Sequence, residues 1–284
     1  MADSRFEQVA EHVDRYTPDD RTDRPALGAI HGSDATLVVE AGASVAHLSG
    51  FLGELTARGR PPVAAIVLTH WHWDHSFGAA AIDVPVIAHR DTAAELAVQA
   101  GYDWSDEALD ERVCNGLEIP FCAEMIKREM PDRSALRVVV PTETFDSRRI
   151  VDLGGTSAVI AHVGGDHSAD SCVVHVPGDD VLFVGDCLYQ RLHAPKPLLT
   201  VSGVRALLVA LSEFPVAMAV DGHGDEVLDS AGYAAWLDEL RRAADLVEAR
   251  GAAALAEAAG DEEVQELVSL LLVGESGVSP RPSG

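Results

Sequence analysis

The chain has 284 residues, of which 47% are hydrophobic, and its formal net charge is −25. This length suffices for one large domain or two modest ones. The negative charge argues against a nucleic-acid partner, because phosphate backbones would be repelled. The 4 cysteines form no CxxC pair, which argues against a disulfide scaffold and against a cysteine-built zinc finger.

Targeting signals are absent from the sequence. The N-terminal residues lack the apolar core of a secretory signal, and no apolar stretch approaches the roughly 20 residues that a membrane span needs. We therefore expect a cytoplasmic protein that does not associate with membranes. The acidity is interpreted as a contribution to solubility, and nothing in the sequence indicates an oligomeric state.

The first half of the chain alternates short apolar runs with helical patterns. The runs predict strands at 26–31, 35–40, 64–68 and 84–88. Val45, Leu48, Leu52 and Leu55 recur at helical spacing and predict a helix over 44–58. A further helix is predicted from Asp74. Residues 90–131 change character and predict a helical insertion, which would either cover a site or simply connect two strands.

The second half repeats this organisation. Strands are predicted at 136–140, 149–153, 157–163, 171–176, 181–184 and 216–220, and helices at 203–213 and 231–250. A final amphipathic helix completes C-terminal helices at about 231–273. We expect one domain over residues 1–273, an αββα sandwich of two mixed β-sheets flanked by helices, and a flexible tail over 274–284.

The most informative motif follows the run 65–68. It places three imidazoles and a carboxylate within six residues, in the order His70, His72, Asp74 and His75. Imidazole and carboxylate are ligands that suit zinc and neighbouring divalent metals. The alternative is a polar loop that is rich in histidine by chance.

Three further segments carry metal-capable side chains, and each follows a predicted strand. His167 follows 157–163, Asp186 follows 181–184, and His223 follows 216–220. Glycines stand beside these residues, where they allow sharp turns and a close approach of the backbone to a cation. Loops at strand ends are common positions for functional residues on a rigid scaffold.

These motifs resemble those of the metallo-β-lactamase superfamily. Residues 70–75 match its H-x-H-x-D-H motif in full, Gly185-Asp186 matches its G-D segment, and Gly222-His223-Gly224 matches its late G-H-G. The resemblance covers roughly residues 27 to 225. It implies two divalent metal ions, with Zn²⁺ preferred and Mn or Fe acceptable.

The resemblance also implies how the ligands are divided. The first metal would be held by His70, His72 and His167, and the second by Asp74, His75 and His223, with Asp186 bridging the two. The segment 166–171 departs from the usual G-H-T-x-G-S pattern, because Asp170 stands where a glycine is usual. Some β-lactamases of this kind use a cysteine ligand, so Cys187 is an alternative ligand, although burial in the core is the preferred interpretation of its thiol.

The implied activity is hydrolysis of a small molecule. A metal-bridging hydroxide would attack an ester, lactone, thioester or lactam carbonyl, with Asp74 orienting the nucleophile or passing on its proton. Tyr189 lies where some lactone-cleaving relatives place an oxyanion donor, and the alternative is a packed tyrosine. Because the chain is so acidic, a neutral or weakly polar acyl substrate is preferred.

Three points stay open in the sequence. The alternatives to a hydrolase are an iron-dependent oxidoreductase resembling the persulfide dioxygenases of this fold, and a metal-binding protein without turnover. Trp71 and Trp73 would either wall a substrate pocket or pack the loop under the metals. Asp166, Asp170 and Asp221 are candidates for outer partners that orient the ligand imidazoles.

Overall fold

Two β-sheets form the centre of the computed structural model, which describes residues 4–277. The first sheet contains seven strands in chain order: β1 (Phe6–Gln8), β2 (Val13–Tyr16), β3 (Leu27–His31), β4 (Thr36–Val39), β5 (Val63–Val67), β6 (Val86–His89) and β7 (Glu143–Phe145). Strands β1 to β4 pair antiparallel, whereas β4 to β7 pair parallel. The sheet is therefore mixed.

The second sheet has six strands, and these also neighbour one another in chain order. They are β8 (Arg148–Asp152), β9 (Ser157–His162), β10 (Cys172–Val176), β11 (Val181–Gly185), β12 (Met218–Asp221) and β13 (Leu228–Asp229). Only β11 and β12 pair parallel, because helix α6 (Val201–Leu211) connects them.

Helices cover the outer face of each sheet. On the first sheet they are α1 (Val45–Ala57), α2 (Trp73–Ser76), α3 (Arg90–Gln99), α4 (Asp106–Cys114) and α5 (Pro120–Glu129). On the second sheet α6 is joined by α7 (Ser230–Arg250), α8 (Ala254–Glu257) and α9 (Glu262–Gly277). The αββα architecture predicted from the sequence is confirmed.

The core between the sheets explains why they stack. Inward-facing aliphatic residues such as Ile30 and Leu37 from the first sheet meet Ile160 and Val174 from the second, and all four are fully buried. Each sheet also packs against its own helices. The first outer core lies between the first sheet and its helices, and the second outer core lies between the second sheet and its helices. Burial of apolar area on both faces of each sheet fixes the loops at the strand ends relative to one another.

Several predicted boundaries were wrong. Residues 136–140 form no strand, because their apolar side chains pack irregularly on the first outer core while β7 supplies the ladder partner of β6. The helix predicted from Asp74 begins at Trp73 as α2 and continues as a 3₁₀ helix over Phe77–Ala81. Helix α9 extends to Gly277, so residues 274–277 are helical, and the rest of the predicted tail lies outside the described residues.

The insertion predicted at 90–131 contains three helices, α3 to α5, that pack onto the first outer core. Within residues 4–277, no helix is both long and apolar enough to cross a membrane.

Candidate metal centre

The seven side chains singled out from the sequence converge at one edge of the sandwich. His70 and His72 follow β5, and Asp74 and His75 lie on α2 directly behind them. The second sheet contributes the other three, which lie after β9, β11 and β12: His167, Asp186 and His223. Both sheets thus present the ends of their strands to the same place.

The first group consists of three imidazoles. The Nδ1 atom of His72 lies 3.0 Å from Nε2 of His70 and 2.9 Å from Nε2 of His167. All three residues are buried. Burial together with the neighbouring imidazoles lowers the pKa of His70 and His72, which favours the neutral form that binds a metal.

The second group combines two carboxylates with two imidazoles. Oδ2 of Asp74 lies 3.1 Å from Nε2 of His75 and 3.3 Å from Nε2 of His223. Oδ2 of Asp186 lies 3.4 Å from each of these nitrogens, and also 3.4 Å from Nε2 of His167. A single oxygen of Asp186 therefore faces both groups.

Electrostatics show that this second group is suited to a cation. Burial lowers the pKa of His75, but the carboxylates of Asp74, Asp186 and Glu40 raise it by more, so it lies well above its ordinary value. The pKa of Asp186 is well below its usual range, because His75 and His223 outweigh the effect of burial. The carboxylates favour positive charge at this position, and a divalent cation would supply it.

Unpartnered polar atoms support the same conclusion. Oδ1 of Asp186 is buried without a hydrogen-bond partner. Both ring nitrogens of His75 are also buried, with carboxylate oxygens of Asp74 and Glu40 beside them at 3.1 Å and 3.2 Å but without a hydrogen bond of good geometry. Buried polar groups are normally satisfied, and buried charges are paired or coordinate metals. The backbone of Gly222 lies against the Asp186 carboxylate, and only glycine fits there, since a Cβ would lie 1.9 Å from Oδ1 of Asp186. The residues present thus fit two divalent ions that share Asp186.

Glu40 is a buried partner of this centre that the sequence did not single out. Its Oε1 lies 3.2 Å from Nδ1 of His75, and its other oxygen accepts a hydrogen bond of 3.3 Å from the backbone N–H of Thr69. The Thr69 hydroxyl also donates to Glu40 and lies 3.0 Å from Nδ1 of His70. Glu40 directly follows β4, which was the only available signal. Through these contacts Glu40 touches one side chain of the second group directly and one of the first group through Thr69.

The three aspartates expected to orient the imidazoles are engaged elsewhere. Asp166 accepts hydrogen bonds from Thr200 at the start of α6. Asp170 accepts one from the hydroxyl of Thr92 at 2.6 Å. Asp221 accepts one from the hydroxyl of Tyr189. His167 is instead oriented by a backbone carbonyl, that of Gln190, 3.1 Å from its Nδ1.

A cavity of about 280 Å³ opens over both groups of ligands. Its wall includes Tyr189, Phe121 from α5, and Leu192 and His193 from the loop after Tyr189. Asp23 is a further wall residue that the sequence did not indicate. Its Oδ1 lies 3.8 Å from Nδ1 of His223, and burial, with Asp74 nearby, raises its pKa to about 7.

The two tryptophans of the motif do not line this cavity. Trp73 is 5% exposed within the first outer core, and Trp71 packs against the same core. Both border a second, smaller cavity of about 50 Å³. Cys187 is buried in the second outer core and belongs to none of the metal-capable groups of the described residues. The tryptophans therefore pack the loop, and the Cys187 thiol packs in the core.

Comparison with known proteins agrees with this architecture. The family model described as the metallo-beta-lactamase superfamily matches residues 28–250. The chain therefore belongs to the metallo-beta-lactamase superfamily. A metallo-beta-lactamase from Pontibacter korlensis superposes with a TM-score of 0.58 at 19% identity, covering 83% of this chain and 97% of that one. The DIM-1 metallo-beta-lactamase gives 0.59 at 17% identity, covering 84% and 96%.

The curated relatives align with a smaller part of the chain, but their names describe an activity. An acyl-coenzyme A thioesterase, MBLAC2, of Bos taurus is 26% identical over 177 residues, and its counterpart from Homo sapiens is 25% identical over 176 residues. The alignment spans 59% of this chain and 59% of each relative. The family match and these names support the predicted hydrolase class.

Proposed function

We propose that this protein is a hydrolase that uses two divalent metal ions, preferably Zn²⁺, to cleave a thioester bond of a small acyl substrate. The observation that carries the proposal is the convergence of seven side chains into two adjacent groups at one cavity, with Oδ2 of Asp186 lying 3.4 Å from nitrogens of both groups. The choice of thioester among the acyl bonds is supported by the names of the curated relatives.

In this proposal His70, His72 and His167 hold the first ion, and Asp74, His75 and His223 hold the second, with Asp186 between them. When bound, the ions would supply Lewis acidity and an activated water at neutral pH. Asp74 lines the cavity and is positioned to hold the proton of the attacking water and to pass it to the leaving group.

The cavity wall favours an apolar acyl group. Phe121, Cys122 and Leu192 present carbon and sulfur surface opposite the ligands. Phe121 is 48% exposed and lines the cavity, so its ring is accessible to a bound acyl group. The α5 helix thus has a role beyond connecting β6 and β7, since it supplies one wall of the proposed acyl site.

A cationic loop beside the cavity favours an anionic carrier for the acyl group. Arg191 and Lys196 lie on the loop that is closed by a bridge between Arg191 and Leu198. Among the described residues neither has a carboxylate within ion-pair distance, and the Arg191 Nε–H donates to the backbone oxygen of Asp166, next to His167. The net charge of the whole chain predicted a neutral substrate, but the charge of this loop would attract phosphate groups.

Tyr189 is proposed as an oxyanion donor of modest effect. Its hydroxyl donates to Oδ2 of Asp221 at 3.2 Å, so it would have to exchange this bond for one to substrate. Tyr189→Phe is therefore expected to lower kcat about tenfold, the value of one net hydrogen bond, with KM little changed. Steady-state kinetics would measure the effect, and Tyr233→Phe, which removes a buried hydroxyl outside the cavity, is the matched control. An unchanged kcat would leave Tyr189 a packing residue only.

The proposed activity is tested with a panel of matched substrates. The metal-loaded protein should release free thiol from an acyl-coenzyme A faster than it opens a lactone, an ester or a β-lactam. The same acyl group on N-acetylcysteamine, which lacks the phosphates, should show a higher KM because the cationic loop has nothing to attract. His72→Ala should lose turnover of both thioesters. Equal activity of this variant, or no thiol release by the loaded protein, would contradict the proposal.

The oxidoreductase alternative receives less support from the geometry. A mononuclear iron enzyme has no use for Asp74, His75 and His223, yet these side chains form a second group with Asp186 in which all but the partly exposed His223 are buried. Oxygen consumption with a persulfide substrate and one iron per chain would favour that alternative.

A further inference from the structure

A further group of metal-capable side chains lies outside the seven residues described above, and two of its three members line the cavity. It consists of Glu118, Cys122 and His193, and one ligand atom from each lies within 4.8 Å of the others. Nδ1 of His193 is 3.9 Å from Oε1 of Glu118. Glu118 and Cys122 flank the start of α5, whereas His193 comes from the loop after Tyr189. Two segments distant in sequence thus bring these atoms together.

The surroundings of this group suit a metal ion more than a chance polar contact. Cys122 is buried, and the side chains of Glu118 and His193 are only 13% and 26% exposed. The His193 ring also packs against Trp71 and His72, with ring centroids at 5.5 Å and 5.1 Å. These contacts restrict the imidazole and hold it facing α5.

We propose that Glu118, Cys122 and His193 form a separate third site for a thiophilic divalent ion such as Zn²⁺. Thiolate, imidazole and carboxylate are the three ligand types of protein zinc, and three ligands leave a fourth position for water. On binding, the Sγ–H bond of Cys122 is replaced by an Sγ–metal bond, and the proton passes to solvent. No electron transfer is involved.

Occupation of this site has a consequence for the main cavity. Cys122 and His193 belong to its wall, and Glu118 with His193 borders the smaller cavity behind it. An ion held here would join α5 to the loop after Tyr189 and narrow the space between them. With three protein ligands instead of four, and partial exposure, the site fills after the dinuclear centre. Excess metal would therefore inhibit.

Cobalt substitution tests the proposal, because a thiolate ligand gives Co²⁺ a near-ultraviolet sulfur-to-metal charge-transfer band that imidazole and carboxylate ligands do not give. The metal-free full chain is titrated with Co²⁺. We expect no such band while the first two equivalents bind, and a band when a third binds. Cys122→Ser should lose the band and the third equivalent while keeping the first two. Cys114→Ser, which alters an exposed thiol, should behave as the unaltered protein.

Two further variants make the result unambiguous. Glu118→Gln keeps the thiol and should show the band only at higher Co²⁺ concentration. Cys187→Ser should keep the band. Absence of the band with excess Co²⁺, its survival in Cys122→Ser, or its loss in Cys187→Ser would overturn the proposal. The titration does not depend on hydrolytic activity, so its outcome is independent of the proposed substrate.

Discussion

Asp186→Asn is expected to abolish hydrolysis, with a fall in kcat/KM of about 10³-fold or more, on the scale of removing a principal transition-state-stabilising group. The substitution keeps the shape of the side chain but removes the charge that faces both groups of ligands. Oδ2 of Asp186 lies 3.4 Å from ring nitrogens of His75, His167 and His223, whereas Asp74 pairs with His75 and His223 only, so Asp74 does not replace the contact with His167. Steady-state kinetics and metal analysis of the purified variant would measure both effects.

Asp180→Asn is the matched control for this variant. Asp180 lies in the turn before β11, is 47% exposed at its side chain, and has a φ of 50°, a conformation that asparagine also tolerates. It should keep wild-type activity and metal content. Wild-type metal content and turnover in Asp186→Asn would show that this carboxylate does not bridge two ions.

Glu40→Gln is expected to weaken metal binding by about 10- to 100-fold, the usual cost of removing an outer partner of a metal ligand. The amide keeps the size of the side chain but loses the negative charge 3.2 Å from Nδ1 of His75. His75 would then be a weaker ligand, and its ring would be less firmly oriented. Competition with a chelator of known affinity measures the change.

The control for Glu40→Gln is Glu54→Gln, which removes a charge from an exposed pair with Arg58 on α1. Exposed pairs of this kind contribute little. The control should bind metal as the unaltered protein does. Equal metal affinity in the two variants would show that Glu40 does not contribute to metal binding.

The seven residues singled out from the sequence converge in the structure, and they could be recognised because they are local signals at strand ends. The spacing of His70 to His75 is visible without any three-dimensional information, and the αββα fold followed from the resemblance and from two successive sets of strands. The strand at 136–140 was predicted only from its run of apolar residues, and that prediction was wrong. Ladder pairing depends on which neighbouring strand has an unpaired edge, and a single sequence does not show that.

Carboxylates that approach the metal-capable residues from distant segments could not be predicted from the sequence. Glu40 and Asp23 approach the centre from segments before the motif, and neither stands in a recognisable pattern. Asp166, Asp170 and Asp221 stand close to ligands in sequence, yet their oxygens bond Thr200, Thr92 and Tyr189 instead. Closeness in sequence therefore proved a poor guide to which carboxylate orients an imidazole. The group of Glu118, Cys122 and His193 is likewise created only by folding.

Anomalous diffraction from a crystal of the purified protein, collected at the absorption edge of its bound metal, tests the central claim most directly. Two strong peaks are expected, one among His70, His72 and His167 and one among Asp74, His75 and His223, with Asp186 between them. A single peak confined to the three imidazoles, or none among these seven residues, would contradict it.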